Sequence, residues 1–301
     1  MKFPAPYFGG KTAIADKVWS ALGNPAHFIE PFCGSGAVLL NRPGYSGQTE
    51  TVCELDGHVA NVWRALQFAP HEVAKYCDWP VLHVDLNARR RFMNAEMPNI
   101  LERLTNDPEF FDARMAGYWI WSASCWIGSG LTCINATPHI GDGGKGKKVT
   151  DPYNEGLYTW FRELSERLRN VRVVCGDWTR VCGGKWQESM GTVGIFFDPP
   201  YAVEDRDTSV YAHDSTVVAH AVRAWCLERG SNPNYRIVLC GYEEHEAELS
   251  AAGWRCESWS AGGGYGNIAQ EGSTAIGKAN RHREMIYYSP FSLIQQDDLF
   301  A

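Results

Sequence analysis

No apolar run in this 301-residue chain is long enough to cross a bilayer and no secretory signal is legible, so a soluble, cytoplasmic protein is expected. Its ten cysteines include no Cys-x-x-Cys pair. They lie mostly in apolar contexts such as Val173-Val174-Cys175 and Val238-Leu239-Cys240, which predicts reduced core thiols rather than zinc ligands or disulfides. No full phosphate-loop signature is present, and Leu39 stands where a dinucleotide fingerprint needs its third glycine, so ATP and nicotinamide readings lose ground. Excess positive charge is missing too. The 28 Lys and Arg face 35 Asp and Glu, a net −7 that opposes binding to a polyanion at long range.

The most informative stretch is Ile195-Phe196-Phe197-Asp198-Pro199-Pro200-Tyr201, an apolar strand that delivers a carboxylate, two prolines and an aromatic ring to its end. These residue types suit the methylation of an exocyclic amine. The lone pair of such an amine is delocalised into the ring, so it attacks poorly unless its geometry is altered. The Asp198 carboxylate and the Pro199 carbonyl are both acceptors. Each can take one amino hydrogen and hold the nitrogen pyramidal, its lone pair aimed at an activated methyl group. Pro199 and Pro200 stiffen the backbone and remove competing N–H donors, and Tyr201 can stack on the base. Taken alone, the tetrapeptide also fits an ordinary strand end followed by a Pro-Pro turn.

A second motif lies near the start. Phe28-Ile29-Glu30 is an apolar strand that runs through Pro31, Phe32 and Cys33 into the Gly34-Ser35-Gly36 turn, and Ala37 to Leu40 follows as the first turns of a helix. With no side chain at Gly34 or Gly36, a nucleotide-like cofactor can approach the backbone closely. Thr51 to Asp56 is a second strand, ending in Glu54 and Asp56 about twenty residues on, where carboxylates bond ribose hydroxyls in folds of this kind.

Together these motifs resemble those of the Dam-like DNA adenine-N6 methyltransferases. Tyr7-Phe8-Gly9-Gly10-Lys11 is similar to the family's N-terminal cofactor motif, Glu30 to Gly36 to its glycine motif, and Asp198 to Tyr201 to its catalytic motif, in the family's order. The resemblance implies S-adenosylmethionine as cofactor, double-stranded DNA as substrate, extrusion of the target adenine, and a cognate restriction endonuclease as a partner to consider. It also implies that Asp177 and Trp178 lie against the cofactor adenine, although the same pair suits a turn cap and a core tryptophan. Lys11 and Glu30 are expected to meet the carboxylate and ammonium of the methionine moiety. The family's Asn-Gly-Leu sequence has no clean counterpart; Trp126 to Leu131 occupies the corresponding place. Alternative readings are an amino methyltransferase acting on RNA, a protein glutamine or cytosine N4, and a non-catalytic DNA-binding protein with a methyltransferase fold.

Pattern and spacing predict an α/β fold: a Rossmann-like, doubly wound methyltransferase sheet with an inserted target-recognition domain. The catalytic domain is expected over 1–78 and 158–301, with the insert at 79–157. Helices are predicted over 11–22, 59–68, 158–168 and 216–229, and strands over 28–30, 52–54, 171–175, 193–197 and 236–240. From about Trp79 to Tyr158 no regular alternation is legible, and the tryptophans there fit a small core better than a base-stacking surface. The DNA-contact candidates are Arg89, Arg90 and Arg91, with Lys145, Lys147 and Lys148 on a glycine-rich loop; Arg281-His282-Arg283 is a third basic cluster.

Overall fold

The computed structural model describes residues 1–7, 9–127, 131–132, 140–141, 154–184, 189, 191–200, 210–243, 246–259 and 284–294, with backbone alone at 210–216 and 242. In chain order the helices are α1 Ala15–Leu22, α2 Ala37–Leu40, α3 Gly57–Phe68, α4 Pro70–Cys77, α5 His83–Asn106, α6 Ala113–Cys125, α7 Glu155–Leu168, α8 Thr179–Cys182, α9 Val210–Arg229 and α10 Glu246–Ala251. The strands are β1 His27–Glu30, β2 Thr49–Glu54, β3 Val171–Cys175, β4 Val193–Phe197, β5 Tyr235–Tyr242, β6 Arg255–Ser258 and β7 Glu284–Tyr288. They form one seven-stranded sheet in the order β3-β2-β1-β4-β5-β7-β6. This is the expected Rossmann-like α/β sheet. No helix among the described residues is long and apolar enough to cross a membrane.

The chain divides into two compact units: residues 1–7 with 51–181, and residues 8–50 with 182–301. In the second unit β1 and β4 are buried along their whole length, and β4 accordingly reads as a near-continuous apolar run. They pair in parallel, Ile29 opposite Ile195, and β4 pairs in parallel with β5, Phe197 opposite Leu239. Burying Phe28, Ile29, Ile195, Phe196 and Phe197 contributes roughly 1.5–3 kcal/mol per side chain. Helix α1 ends where Gly23 takes φ 64 and returns its N–H to the Trp19 carbonyl at 2.7 Å. The antiparallel strands β7 and β6, the latter at the sheet edge, were not legible in the sequence. Each is short, and β6 is only partly buried, so it carries no apolar run.

In the first unit almost every residue of α3 is buried, including Arg64, whose guanidinium donates to the carbonyls of Val173, Leu104, Asp107 and Phe110. Pro70, expected to mark a helix end, also opens α4 as a first-turn residue, where its missing N–H costs nothing. Helices α4 and α6 approach closely at Gly117, where an added Cβ would lie 2.4 Å from the Tyr76 Cβ and 2.8 Å from the Val73 carbonyl.

Helices α5 and α6 fill a stretch in which no regular element was legible. The buried face of α5 carries Leu86, Met93, Ile100 and Leu104, but the position between Leu86 and Met93 is taken by Arg89 and Arg90, and Pro98 lies inside the helix. Arginines on the packed face blur the helical period. Trp121 is fully buried and Trp119 nearly so, which matches the expected core role, and Leu86, Trp121 and Cys125 form a local core flanked by Val81, Trp126, Leu131 and Ile140. No disulfide joins the described cysteines, and all but Cys256 are buried.

Candidate active site

Strand order reverses direction at β1 and β4, since the chain adds β2 and β3 on one side and β5 on the other. In doubly wound sheets the carboxyl ends of the strands at such a switch point are where ligands bind. In the second unit those ends carry Glu30 and Asp198. Glu30 is buried, and its Oε2 accepts the N–H of Leu39, in the first turn of α2, at 3.2 Å. The intervening loop holds Gly34 at φ 48 and Gly36 at φ 54, both in the left-handed region that disfavours any side chain. Pro31 and Cys33 are buried beneath it, and Phe32 packs with its ring centroid 6.4 Å from that of Phe197.

Asp198 follows the last residue of β4. Pro199 is buried and Pro200 exposed. Tyr201 lies outside the described residues, as does Phe8. The Lys11 ammonium stands 2.9 Å from Asp198 Oδ2, donates to the Gly9 carbonyl at 3.2 Å and lies 5.6 Å from the centre of the Trp259 ring. Burial by itself would lower the Lys11 pKa, but the charge of Asp198, helped by Cys240 and Glu284, outweighs it and leaves the group raised above 10.5. The ammonium expected to meet a methionine carboxylate therefore has a carboxylate of the protein as its neighbour. Trp259 was not singled out in the sequence, where no signal distinguishes it from other strand-end aromatics.

In the first unit Glu54 and Asp56 stand at the end of β2. Glu54 Oε1 accepts the N–H of Asp56 at 2.9 Å, and Asp56 Oδ1 accepts the N–H of His58 at 2.8 Å, capping α3. Between them Leu55 is 69% exposed, an apolar side chain held outward by two acidic neighbours. Sequence reasoning missed Leu55. Its signal was an apolar residue just past the strand, out of register with the buried face. Asp177 is exposed, and its Oδ1 accepts from both the N–H and the hydroxyl of Thr179, at 2.9 and 2.5 Å. Trp178 is buried. The turn-cap geometry considered for this pair is thus present. The Gly176 N–H bonds the Glu54 carbonyl at 2.9 Å, tying the ends of β2 and β3 together. Cys53 lies beneath, its thiol against the Gly176 and Asp177 carbonyls, and burial, reinforced by Glu54, pushes its pKa up to about 12, so it stays protonated. Tyr7 is partly exposed and packs edge-on against Phe3 at 5.8 Å.

The basic candidates separate. Arg89 is buried, donates to the Tyr76 carbonyl at 2.9 Å and lies over the rings of Trp121 at 4.2 Å and Tyr118 at 4.4 Å. Arg90 is buried too, donating to the Leu131 carbonyl at 2.9 Å and lying over Trp126 at 4.6 Å. These placements run against the phosphate contacts expected of Arg89 and Arg90. Both guanidiniums are absorbed by ring faces and carbonyls, which a short basic run does not reveal. Arg91 is exposed. Lys145, Lys147, Lys148 and the Arg281–Arg283 cluster lie outside the described residues.

Over residues 7–223, well over half its length, the chain matches the family described as D12 class N6 adenine-specific DNA methyltransferase. No curated protein matches it.

Proposed function

Since the chain belongs to the D12 class N6 adenine-specific DNA methyltransferases, we propose that it transfers a methyl group from S-adenosylmethionine to the N6 amino group of an adenine extruded from duplex DNA, at a specific sequence. The observation that carries this reading is the position of Asp198 and the Pro199 carbonyl, directly after buried strand β4 and at the switch point beside β1. Membership of the class supports methylation of adenine N6 in DNA; the donor, the extruded base and the residue roles are proposals.

The residues suit the donor. In the second unit, Gly34 and Gly36 leave two positions without side chains in the loop after β1, and the buried Glu30 carboxylate takes the ammonium of the methionine moiety. In the first unit, Glu54 and Asp56 take the ribose hydroxyls, and Leu55, with Asp177 and Trp178, faces the adenine. The bound cofactor supplies an electrophilic sulfonium methyl. Asp198 and the Pro199 carbonyl accept one N6 hydrogen each and turn the nitrogen lone pair toward that methyl. Methyl transfer would leave the C–S electron pair on sulfur and release one N6 proton to solvent. Extrusion of the base costs roughly a few kcal/mol, which stacking on Tyr201 helps to offset. Residues 79–157 are the proposed target-recognition segment. Arg91 is its described basic contact, with Lys145, Lys147 and Lys148 as further candidates, and the protein acts inside the cell, on DNA.

The test is incubation with S-adenosylmethionine and unmethylated duplex DNA, digestion to nucleosides and mass analysis, with Asp198→Ala alongside. N6-methyladenine formed by the wild type alone is expected. Substantial activity in Asp198→Ala would remove the catalytic assignment, and methylcytosine would move the target base.

A further inference from the structure

We propose that Lys11 is a positioning residue for Asp198 and not a ligand of the cofactor's carboxylate. The inference rests on the catalytic reading of Asp198 given above. A carboxylate at a strand end can rotate about two side-chain bonds, yet the reaction needs one oxygen fixed toward an amino hydrogen. The 2.9 Å contact to Lys11 fixes Oδ2, and with it the direction of the carboxylate that meets the amine.

Lys11 is itself held. Its side chain is 8% exposed, its ammonium donates to the Gly9 carbonyl, and the Trp259 ring lies over a further side at 5.6 Å. Gly9, at φ 79, has the left-handed backbone that turns this carbonyl back toward the lysine two residues on. Drawing the ammonium away to a cofactor carboxylate would break its 2.9 Å contact to Asp198, whose side chain is 20% exposed, and breaking a sheltered pair in this way is strongly unfavourable. The lysine thus acts on the methyl acceptor through Asp198 and leaves recognition of the zwitterion to other groups.

The experiment measures kcat and the equilibrium dissociation constant for S-adenosylmethionine on the full chain, as wild type, Lys11→Met, Lys11→Arg, Asp198→Asn and the Lys11→Met/Asp198→Asn double variant. Lys11→Met is expected to lose about 100-fold in kcat, the scale of a misplaced reacting group, with cofactor affinity unchanged. Lys11→Arg recovers part of the loss, since a guanidinium still binds a carboxylate. The double variant matches Asp198→Asn alone, because the lysine works only through that residue. Cofactor affinity weakened about tenfold or more in Lys11→Met, with kcat kept, would overturn the inference and return Lys11 to the zwitterion. Inactive Asp198→Asn beside fully active Lys11→Met would overturn it while sparing the catalytic reading. Active Asp198→Asn would sink that reading first. If Lys11→Met does not fold, Lys11→Gln, which keeps a donor without the charge, is judged by the same two constants.

Discussion

Asp56 is where stability and cofactor binding are most easily confused, and the geometry says how to separate them. Its Oδ1 accepts the His58 N–H at 2.8 Å and caps α3, while the proposed ribose contact uses the other oxygen. Asp56→Ala removes both. Loss of the cap costs about 1 kcal/mol and lowers Tm by a few degrees. Asp56→Asn separates the two functions, because asparagine caps as well as aspartate. With its single oxygen on His58, the asparagine turns an NH2 donor toward the ribose, where an acceptor to the hydroxyls had been. Loss of a hydrogen bond to a charged group is worth about 1.5–3 kcal/mol. That corresponds to roughly ten- to 150-fold in the dissociation constant. The assays are thermal unfolding and calorimetric titration with S-adenosylmethionine. Expected are an unchanged Tm and a weakened affinity for Asp56→Asn, with both quantities lowered for Asp56→Ala. Wild-type affinity in Asp56→Asn would refute the ribose role and leave Asp56 a helix cap alone.

Gly117→Ala forces a methyl group against the Tyr76 side chain and the Val73 carbonyl, so the denaturant midpoint should fall by the equivalent of about 1–3 kcal/mol. The two arginine environments of α5 should part company. Arg89→Ala should destabilise by about 2 kcal/mol or more through lost ring contacts, read in Tm. Arg91→Ala should leave Tm alone and reduce DNA affinity and its salt slope in filter binding or anisotropy. His58 is buried with Nδ1 lacking a partner, so burial lowers its pKa from 6.5 although Asp56 opposes the shift. The folded value lies below the unfolded one. Stability from neutral His58 is therefore complete above about pH 6.5 and declines as pH falls through and below it, and His58→Gln should flatten that decline in Tm against pH.

The parts of the fold that the sequence announced are those where one force acts alone. Strand β4 was legible to the residue because burial on both faces makes it a near-continuous apolar run, β3 because apolar Val171, Val173 and Cys175 are buried at alternate positions, and α1 because Gly23 can take the positive φ that stops it. Helix α5 was not, because Arg89 and Arg90 occupy positions on its buried face that apolar residues would mark. Such arginines are tolerable only because ring faces and carbonyls from α4, α6 and the following loop gather round them, and those contacts are tertiary. The tetrapeptide proposed to be catalytic stood out in the sequence by its chemistry, and Asp198 directly follows buried β4. Its neighbour Lys11 was legible as a charge, but its partner was not, since the contact to Asp198 spans most of the chain.

Three of the carboxylates proposed to hold the cofactor share a placement that a choice between structural and functional roles obscures. Glu30, Asp56 and Asp177 each follow or end a strand, and each accepts a backbone N–H from the turn or helix that comes next, at Leu39, His58 and Thr179. Unpaired N–H groups occur where a strand hands over to a helix, and the partial positive charge there stabilises an anion. A carboxylate that spends one oxygen on such a group is fixed in direction by a bond that the fold already requires. Its second oxygen then points along a line set by the backbone, not by a free rotor. Preorganisation of this kind needs no extra support, because the helix cap is the support. Alanine at any of the three removes the cap together with the ligand, so a loss of binding would say little about contact. The amide does discriminate, since it preserves the acceptor for the N–H and alters only the charge and the outward atom. Glu30, Asp56 and Asp177 should therefore be judged by their glutamine and asparagine variants.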